Sequence, residues 1–407
     1  MNPGMSPSRC FAAATRTFAL LLSLPLSLAL PPIASADDLD LRVRGLLDLV
    51  AGPNNDAVTL NTMNAGGSPF DPWRGRLFVE GGAGDEIDAF VQLHLSDESG
   101  VFIYGAYATW TPVAERDLHL QAGKIPWPIG TYGPRTYSDK NPLVGTPLLY
   151  QYHTSLSFGG GPSDIDALLS EAGQGQYGVN YVPGPGGWRG MPIIYDFCWD
   201  FGAALIGSAR PFEFSLGVTN GTPSSANAGR DTNQDKSIMG RVGLAPLAGL
   251  RFGVSASTGA YLSDDVEATL PPGRSAESYD QTLFMADAEY ATGRFELRGE
   301  GVLNTWETPS VGDLTVRGYY VEGKYAFPAG AFVALRFDQL RFDEVQGSTG
   351  PARPWDDDVT RLEGGVGYRF DRHVIAKVVY QDNTLDPGVG GDSRSSDLVA
   401  AQVSLGF

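Results

Sequence analysis

The chain ends on an aromatic residue at the tip of a strand-like run, and that run limits what it can fold into. In Val399-Ala400-Ala401-Gln402-Val403-Ser404-Leu405-Gly406-Phe407 every second residue is apolar: Val399, Ala401, Val403, Leu405 and Phe407. That is the two-residue period of a β-strand with one greasy face. A last strand of this kind suits a closed transmembrane barrel. It pairs with the first strand, so no edge is left in lipid, and its terminal ring reaches the lipid interface.

The start of the chain agrees. Residues 1–36 read as a secretory leader, with Arg9 and Arg16 before an apolar stretch and Ala34-Ser35-Ala36 as the cleavage site. The stretch is too short to span a bilayer as a helix, and Pro25, Pro31 and Pro32 argue against an anchor. The mature chain is expected to begin at Asp37. No later segment is long and apolar enough for a membrane helix. Removing the leader leaves Cys198 as the one cysteine, so no internal disulfide is expected. Cys198 is expected to pack beside Trp199 on a strand. Loss of the two leader arginines takes the net charge from −18 to −20, which excludes nucleic acid as a partner.

Apolar alternation recurs along the whole chain. Leu39, Leu41, Val43, Leu47 and Leu49 form the first face, and Ala89, Val91, Leu93 and Leu95 a later one. Segments such as Phe212/Phe214/Leu216/Val218, Leu250/Phe252/Val254 and Val374/Ala376/Val378/Tyr380 repeat the pattern. Tight turns (82–85, 112–116, 208–211, 245–249, 291–294, 327–330, 370–372) alternate with long polar loops (52–71, 220–235, 263–277, 343–356, 383–395). The segments count to about sixteen strands, or eighteen if residues 174–183 hide another pair. The fold class is therefore all-β, a single-domain transmembrane antiparallel barrel over 37–407. Trp110, Trp199, Trp306, Tyr325, Phe327, Phe370 and Phe407 are expected in interfacial girdles.

One connection differs from the rest. Residues 123–192, after the fifth strand, hold Lys124-Ile125-Pro126-Trp127-Pro128-Ile129-Gly130 and several more prolines and glycines. They include a helix-like piece from Asp164 to Glu171, with Ser163 or Asp164 as its cap. A loop of this length is usually functional.

Leader, period-two strands, turn and loop alternation, long loop and terminal Phe together resemble a Gram-negative outer-membrane porin. The resemblance covers the mature chain and is architectural. It implies that the loop after the fifth strand folds inward and narrows a channel, and that the protein is a homotrimer. The stretch 123–130 also resembles the phosphate-selective porin group, whose lumen is lined by arginine and lysine. The only lysines here are Lys124, Lys140, Lys236, Lys324 and Lys377, so phosphate selectivity is not carried over.

A barrel this wide is expected to hold water. Strand parity turns Asp40, Arg42, Arg44, Arg74, Arg76, Arg251, Asp287, Glu289, Glu296, Arg298, Glu300, Arg336, Asp338, Arg361, Glu363 and Lys377 inward. Facing rows of opposite sign would create a transverse field; alternatively, pairs such as Arg298 with Glu296 or Glu300 brace the wall. Lys124, Arg135, Asp139 and Lys140 are the constriction candidates, with a local excess of positive charge that would favour anions. Their alternative role is to tether the loop, for example Arg135 to a wall carboxylate. Loop acids such as Asp264, Asp265, Glu267, Asp343, Asp356 and Asp392 are either simply solvated or bind divalent cations.

The expected function is passive diffusion of small hydrophilic solutes or ions through the outer membrane. Outer-membrane lipid, lipopolysaccharide and the barrel assembly machinery, reached through Val403, Leu405 and Phe407, are the expected partners. No cofactor or metal is implied. The alternatives are a barrel enzyme of lipase or protease type and a closed structural or adhesin barrel. His94, His119, His153 and His373 lie in no catalytic motif, and His153 near Ser155 is a neighbour in sequence only.

Overall fold

The computed structural model describes residues 39–52, 73–84, 86–96, 100–113, 115–175, 190–196, 198–226, 231–388 and 391–407. The leader expected at 1–36 lies outside them, as do residues 176–183 of the segment considered for another strand pair.

The strands are β1 (Leu39–Ala51), β2 (Trp73–Ala83), β3 (Ile87–Ser96), β4 (Gly100–Trp110), β5 (Leu118–Pro126), β6 (Trp199–Ala209), β7 (Phe212–Thr219), β8 (Ser237–Leu247) and β9 (Leu250–Ala260). They continue as β10 (Asp280–Thr292), β11 (Phe295–Thr308), β12 (Gly312–Ala326), β13 (Ala331–Phe342), β14 (Glu344–Val345), β15 (Arg353–Pro354), β16 (Asp358–Arg369), β17 (Val374–Asp386) and β18 (Arg394–Gly406). Sixteen of them close a barrel, and β14 with β15 forms a separate pair in the loop between β13 and β16. Closure comes from β18 returning antiparallel to β1. Every backbone edge is thereby satisfied, as lipid demands.

Period two decides which side chains meet lipid. Leu41, Val43, Val254, Leu335, Leu362, Val366 and Val399 are exposed on the outer wall. At the turn end Phe212, Tyr290, Phe295, Tyr325, Phe327, Tyr368, Phe370 and Phe407 form an exposed aromatic belt. Trp199 and Trp306 depart from their expected girdle positions. Trp199 is buried against Phe90, Tyr104 and Tyr107, and Trp306 against Trp355. Cys198 precedes β6 rather than lying on it, at a φ of 54°. It is buried, and burial pushes its thiol well above the usual cysteine range.

Phe407 completes the seam. The Gly45 amide donates to its carbonyl at 2.7 Å, and its own amide donates to the Gly45 carbonyl at 3.1 Å. Its ring covers the Gly45 Cα so closely that a Cβ there would fall 2.1 Å from the ring tip. Glycine thus leaves room for the terminal aromatic. Gly45→Val is expected to displace the ring and cost about 1–3 kcal/mol by overpacking. The check is the refolded fraction, read as heat-modifiable mobility on a gel; a wild-type fraction would mean the ring is not part of the seam.

Candidate functional site

The long connection runs from Trp127 to Cys198, because β5 extends to Pro126 and β6 begins at Trp199. Both limits differ from the expected 123–192: Gly123 to Pro126 keep pairing with β6, and the return extends past Pro192. Residues 127–152 pack inside the barrel, whereas the stretch around Asp166 and Leu169 lies against the loop between β13 and β16, where Asp166 accepts the Ser348 amide at 2.8 Å. Leu148–Gln151 forms a helical turn, and Ile165–Ser170 a short helix whose Asp164 cap accepts the Ala167 amide at 2.8 Å.

One side of this loop is dry. Trp127, Leu148, Leu149, Tyr150 and Tyr152 belong to one buried apolar cluster with Met239, Leu283, Met285, Val302, Val316 and Leu340 of the wall. Wall glycine makes the approach possible: a Cβ on Gly318 would sit 2.8 Å from a Leu149 methyl. Tyr261, Leu262 and Trp355 from two other loops join the cluster. The interior along β8–β13 is therefore packed side chain, not the water expected from barrel width. Width sets how much space must be filled, and here the chain supplies the filling.

Polar anchors surround the dry contact. Glu300 accepts from the Thr131 amide, from the Thr131 hydroxyl at 3.0 Å and from the Tyr150 hydroxyl at 2.7 Å. Asp338 takes the Leu148 amide at 2.9 Å, and the Arg336 guanidinium donates to the Gly145 carbonyl at 3.4 Å. Arg361 donates to the Thr146 carbonyl at 3.1 Å, and Lys377 to the carbonyls of Ser138, Asn141 and Leu143 at 2.9–3.1 Å. Arg135 pairs with Glu289 of the wall. These lumen-facing charges carry the loop.

The wall charges also form a belt. The cross-strand register runs Arg251, Glu289, Arg298, Glu322, Arg336, Glu363, each residue directly opposite the next. Opposite charges so placed support each other. Signs alternate within one row, so their fields largely cancel, in contrast to the expected facing rows. Arg298 also pairs with Glu296 at 2.5 Å, and Lys324 with Glu296 at 2.9 Å. Sequence parity missed Glu322 and also Arg241, which binds Glu213 at 2.5 Å and Asp287 at 2.7 Å. Both sit on strands whose period was not read; continuing the parity through 237–247 and 312–326 would have found them.

Lys124 is not at a constriction. It stands opposite Phe201 of the outer face, and its ammonium reaches the Ile103 carbonyl at 2.9 Å. Lys140 is exposed beside Asp139 at 3.2 Å, and the Asp139 carbonyl takes the Arg369 guanidinium at 2.8 Å. Among the described residues no group of acids and histidines is arranged to hold a metal. The histidine expected near Ser155 bonds elsewhere: His153 is buried, its Nδ1 lies 3.0 Å from the Gln151 carbonyl, and burial lowers its pKa to about 3.

The polar side of the lumen lies along β1–β4. Arg42 and Arg44 are exposed there, paired with Asp40 and Glu80. Deeper, Arg74 lies 3.7 Å from Asp48. Arg76 stacks at 5.0 Å over Tyr137 and 5.9 Å over Tyr104, and donates to the Thr136 carbonyl at 3.4 Å. Among the described residues no carboxylate comes within ion-pair distance of Arg76. A polar cavity of about 20 Å³ opens beside Arg74 and Arg76, against Tyr132, Asn141, Asp196 and Gln402. That volume suits about one water.

No family model matches this sequence, and no curated protein matches it. Solved structures do. The anion-selective porin from Comamonas acidovorans superposes with a TM-score of 0.56 at 12% identity, over 91% of this chain and 100% of that one. OmpF of Salmonella typhi, in complex with daunomycin, gives 0.56 at 12% identity over 92% and 100%. A loop-deletion mutant of OmpT, an outer membrane protein of Vibrio cholerae, gives 0.51 at 12% over 91% and 100%. With its closed ring of sixteen antiparallel strands and its long inward loop after β5, the chain has the fold of the Gram-negative outer-membrane porins.

Proposed function

We propose that this barrel is an outer-membrane diffusion channel for small hydrophilic solutes, with anions favoured along the β1–β4 side. The observation that carries the reading is the polar side along β1–β4, where Arg76, with no carboxylate at ion-pair distance among the described residues, lines a polar cavity together with Arg74 and Asp196. The reading includes export with the 1–36 leader, assembly through the last strand, a homotrimer in the outer membrane of a Gram-negative cell, and no catalytic step. Arg135 and Asp139 then act on loop position rather than as selectivity groups, and Lys124 and Lys140 have no part in selectivity.

Single-channel recording under a KCl gradient tests it. Arg76→Gln is expected to move the reversal potential towards cations while the barrel stays heat-modifiable. An unchanged potential would remove Arg76 from the path. The dry packing along β8–β13 favours a second reading, a closed structural barrel. Absence of conductance from correctly folded protein would select it.

A further inference from the structure

The outer wall carries one feature that neither closure nor conduction uses. Among the described residues its strand arginines are Arg317 on β12 and Arg341 on β13, and these stand directly opposite each other. Both lie towards the loop end of their strands. Like charges at facing positions repel, and charge on a lipid-facing wall is costly unless it sits at the headgroup level. Each guanidinium touches one carboxylate at the loop border, Arg317 with Asp343 at 3.0 Å and Arg341 with Asp358 at 2.8 Å. Their side chains nevertheless remain 66% and 49% exposed. A guanidinium offers five donors, so one carboxylate leaves each with capacity to spare.

A groove of about 590 Å³ lies against the two arginines. Phe284, Leu303 and Tyr319 line it and are exposed to the outside. Ala286 and Gly301 line it too, and their small side chains leave its floor low. Two cations at the headgroup level above an apolar trough match a molecule with a phosphorylated head and acyl chains.

We infer that Arg317, Arg341 and this groove form a binding site for one phosphorylated glycolipid of the outer leaflet, of the lipid A type. The phosphate bridges the two guanidiniums and relieves their repulsion, and an acyl chain lies over Gly301. The inference rests on the outer-membrane part of the proposed function but not on conduction.

The test reconstitutes the full barrel in phosphatidylcholine vesicles containing lipid A, or lipid A stripped of its phosphates, and counts retained lipid by native mass spectrometry. Wild-type protein is expected to retain phosphorylated lipid A about tenfold better than the Arg317→Gln/Arg341→Gln variant. It should also prefer the phosphorylated form, with millimolar inorganic phosphate failing to displace it. Gly301→Leu should weaken retention without touching the arginines, because a Cβ there meets nothing closer than 3.7 Å. Equal retention by the double variant, or by phosphate-free lipid, overturns the site. So does displacement by inorganic phosphate alone. A changed oligomer ratio with unchanged lipid retention would overturn it in favour of an interface between copies. Wild-type barrels that keep lipid A yet show no conductance would remove the channel reading and leave this one standing.

Discussion

Replacing Arg336 by alanine is expected to destabilise the barrel by about 3–5 kcal/mol, the cost of stranding a buried ionic partner. The side chain is fully buried and holds Glu322 at 3.3 Å, Asp338 at 3.3 Å and Glu363, all from the wall, together with the Gly145 carbonyl of the long loop. Removing it leaves three carboxylates facing one another without their shared cation. The loop also loses one attachment to β13, beside the Leu148 amide held by Asp338. Urea unfolding in detergent reads the stability, and single-channel current should rise as the loop loosens. A loss below about 1 kcal/mol would mean the ionic cluster is not what supports the loop. Adding Glu363→Gln to Arg336→Ala should recover part of the loss, because one stranded charge disappears.

Asp356 gives the second large effect. It lies in the loop between β13 and β16, outside the strands, and is buried. Its carboxyl accepts the amides of Gly173 at 2.6 Å, Ser155 at 2.8 Å and Asp357 at 2.9 Å, and the Tyr152 hydroxyl at 3.2 Å. One side chain thus ties two stretches of the long loop to a neighbouring loop. Burial outweighs these bonds and raises its pKa to about 7. A carboxyl raised above its unfolded value contributes stability that is fully present below the unfolded pKa and is lost as pH rises through about 7. The clasp should therefore be tighter at about pH 5 than at about pH 8. Hydrogen exchange of the Gly173 and Ser155 amides is expected to quicken across that interval. Asp356→Asn should flatten the pH dependence, and equal pH dependence in that variant would assign it to another group. Gly173→Ala tests the same clasp at neutral pH. At a φ of 71° its Cβ would meet Asp357 at 2.2 Å, where Asp357 pairs with Arg394. The clasp should open irrespective of pH.

Most of the barrel was legible because a strand in lipid has little freedom. Period two, a turn every strand pair and a terminal Phe on the closing strand follow from backbone satisfaction and one apolar face. The inward position of Arg336, Arg361 and Lys377 followed from the same parity. What they do there did not. Parity says which wall a side chain leaves, not what comes to meet it, and the Gly145, Thr146 and Ser138 carbonyls come from 191, 215 and 239 residues away along the chain.

The dry half had a signal that went unread. Leu283-Phe284-Met285 and Val302-Leu303 are apolar on both faces, and a strand needs a second apolar face only where something apolar covers it. Lys124 misled because it was assigned to a loop, where direction is free, while it lies in β5, where direction is fixed outward.

The sequence by itself determined the wall: strand period, closure, the apolar exterior and the inward charges. Tertiary structure alone decided the interior, namely the path of residues 127–175, the loop groups that Glu300, Arg336, Asp338, Arg361 and Lys377 meet, and the narrow polar side left beside Arg74 and Arg76. The physical reason is range. A wall is written in contacts between neighbouring strands, whereas a lumen is filled by one irregular segment that meets nearly every strand at once, and no local pattern encodes such a meeting.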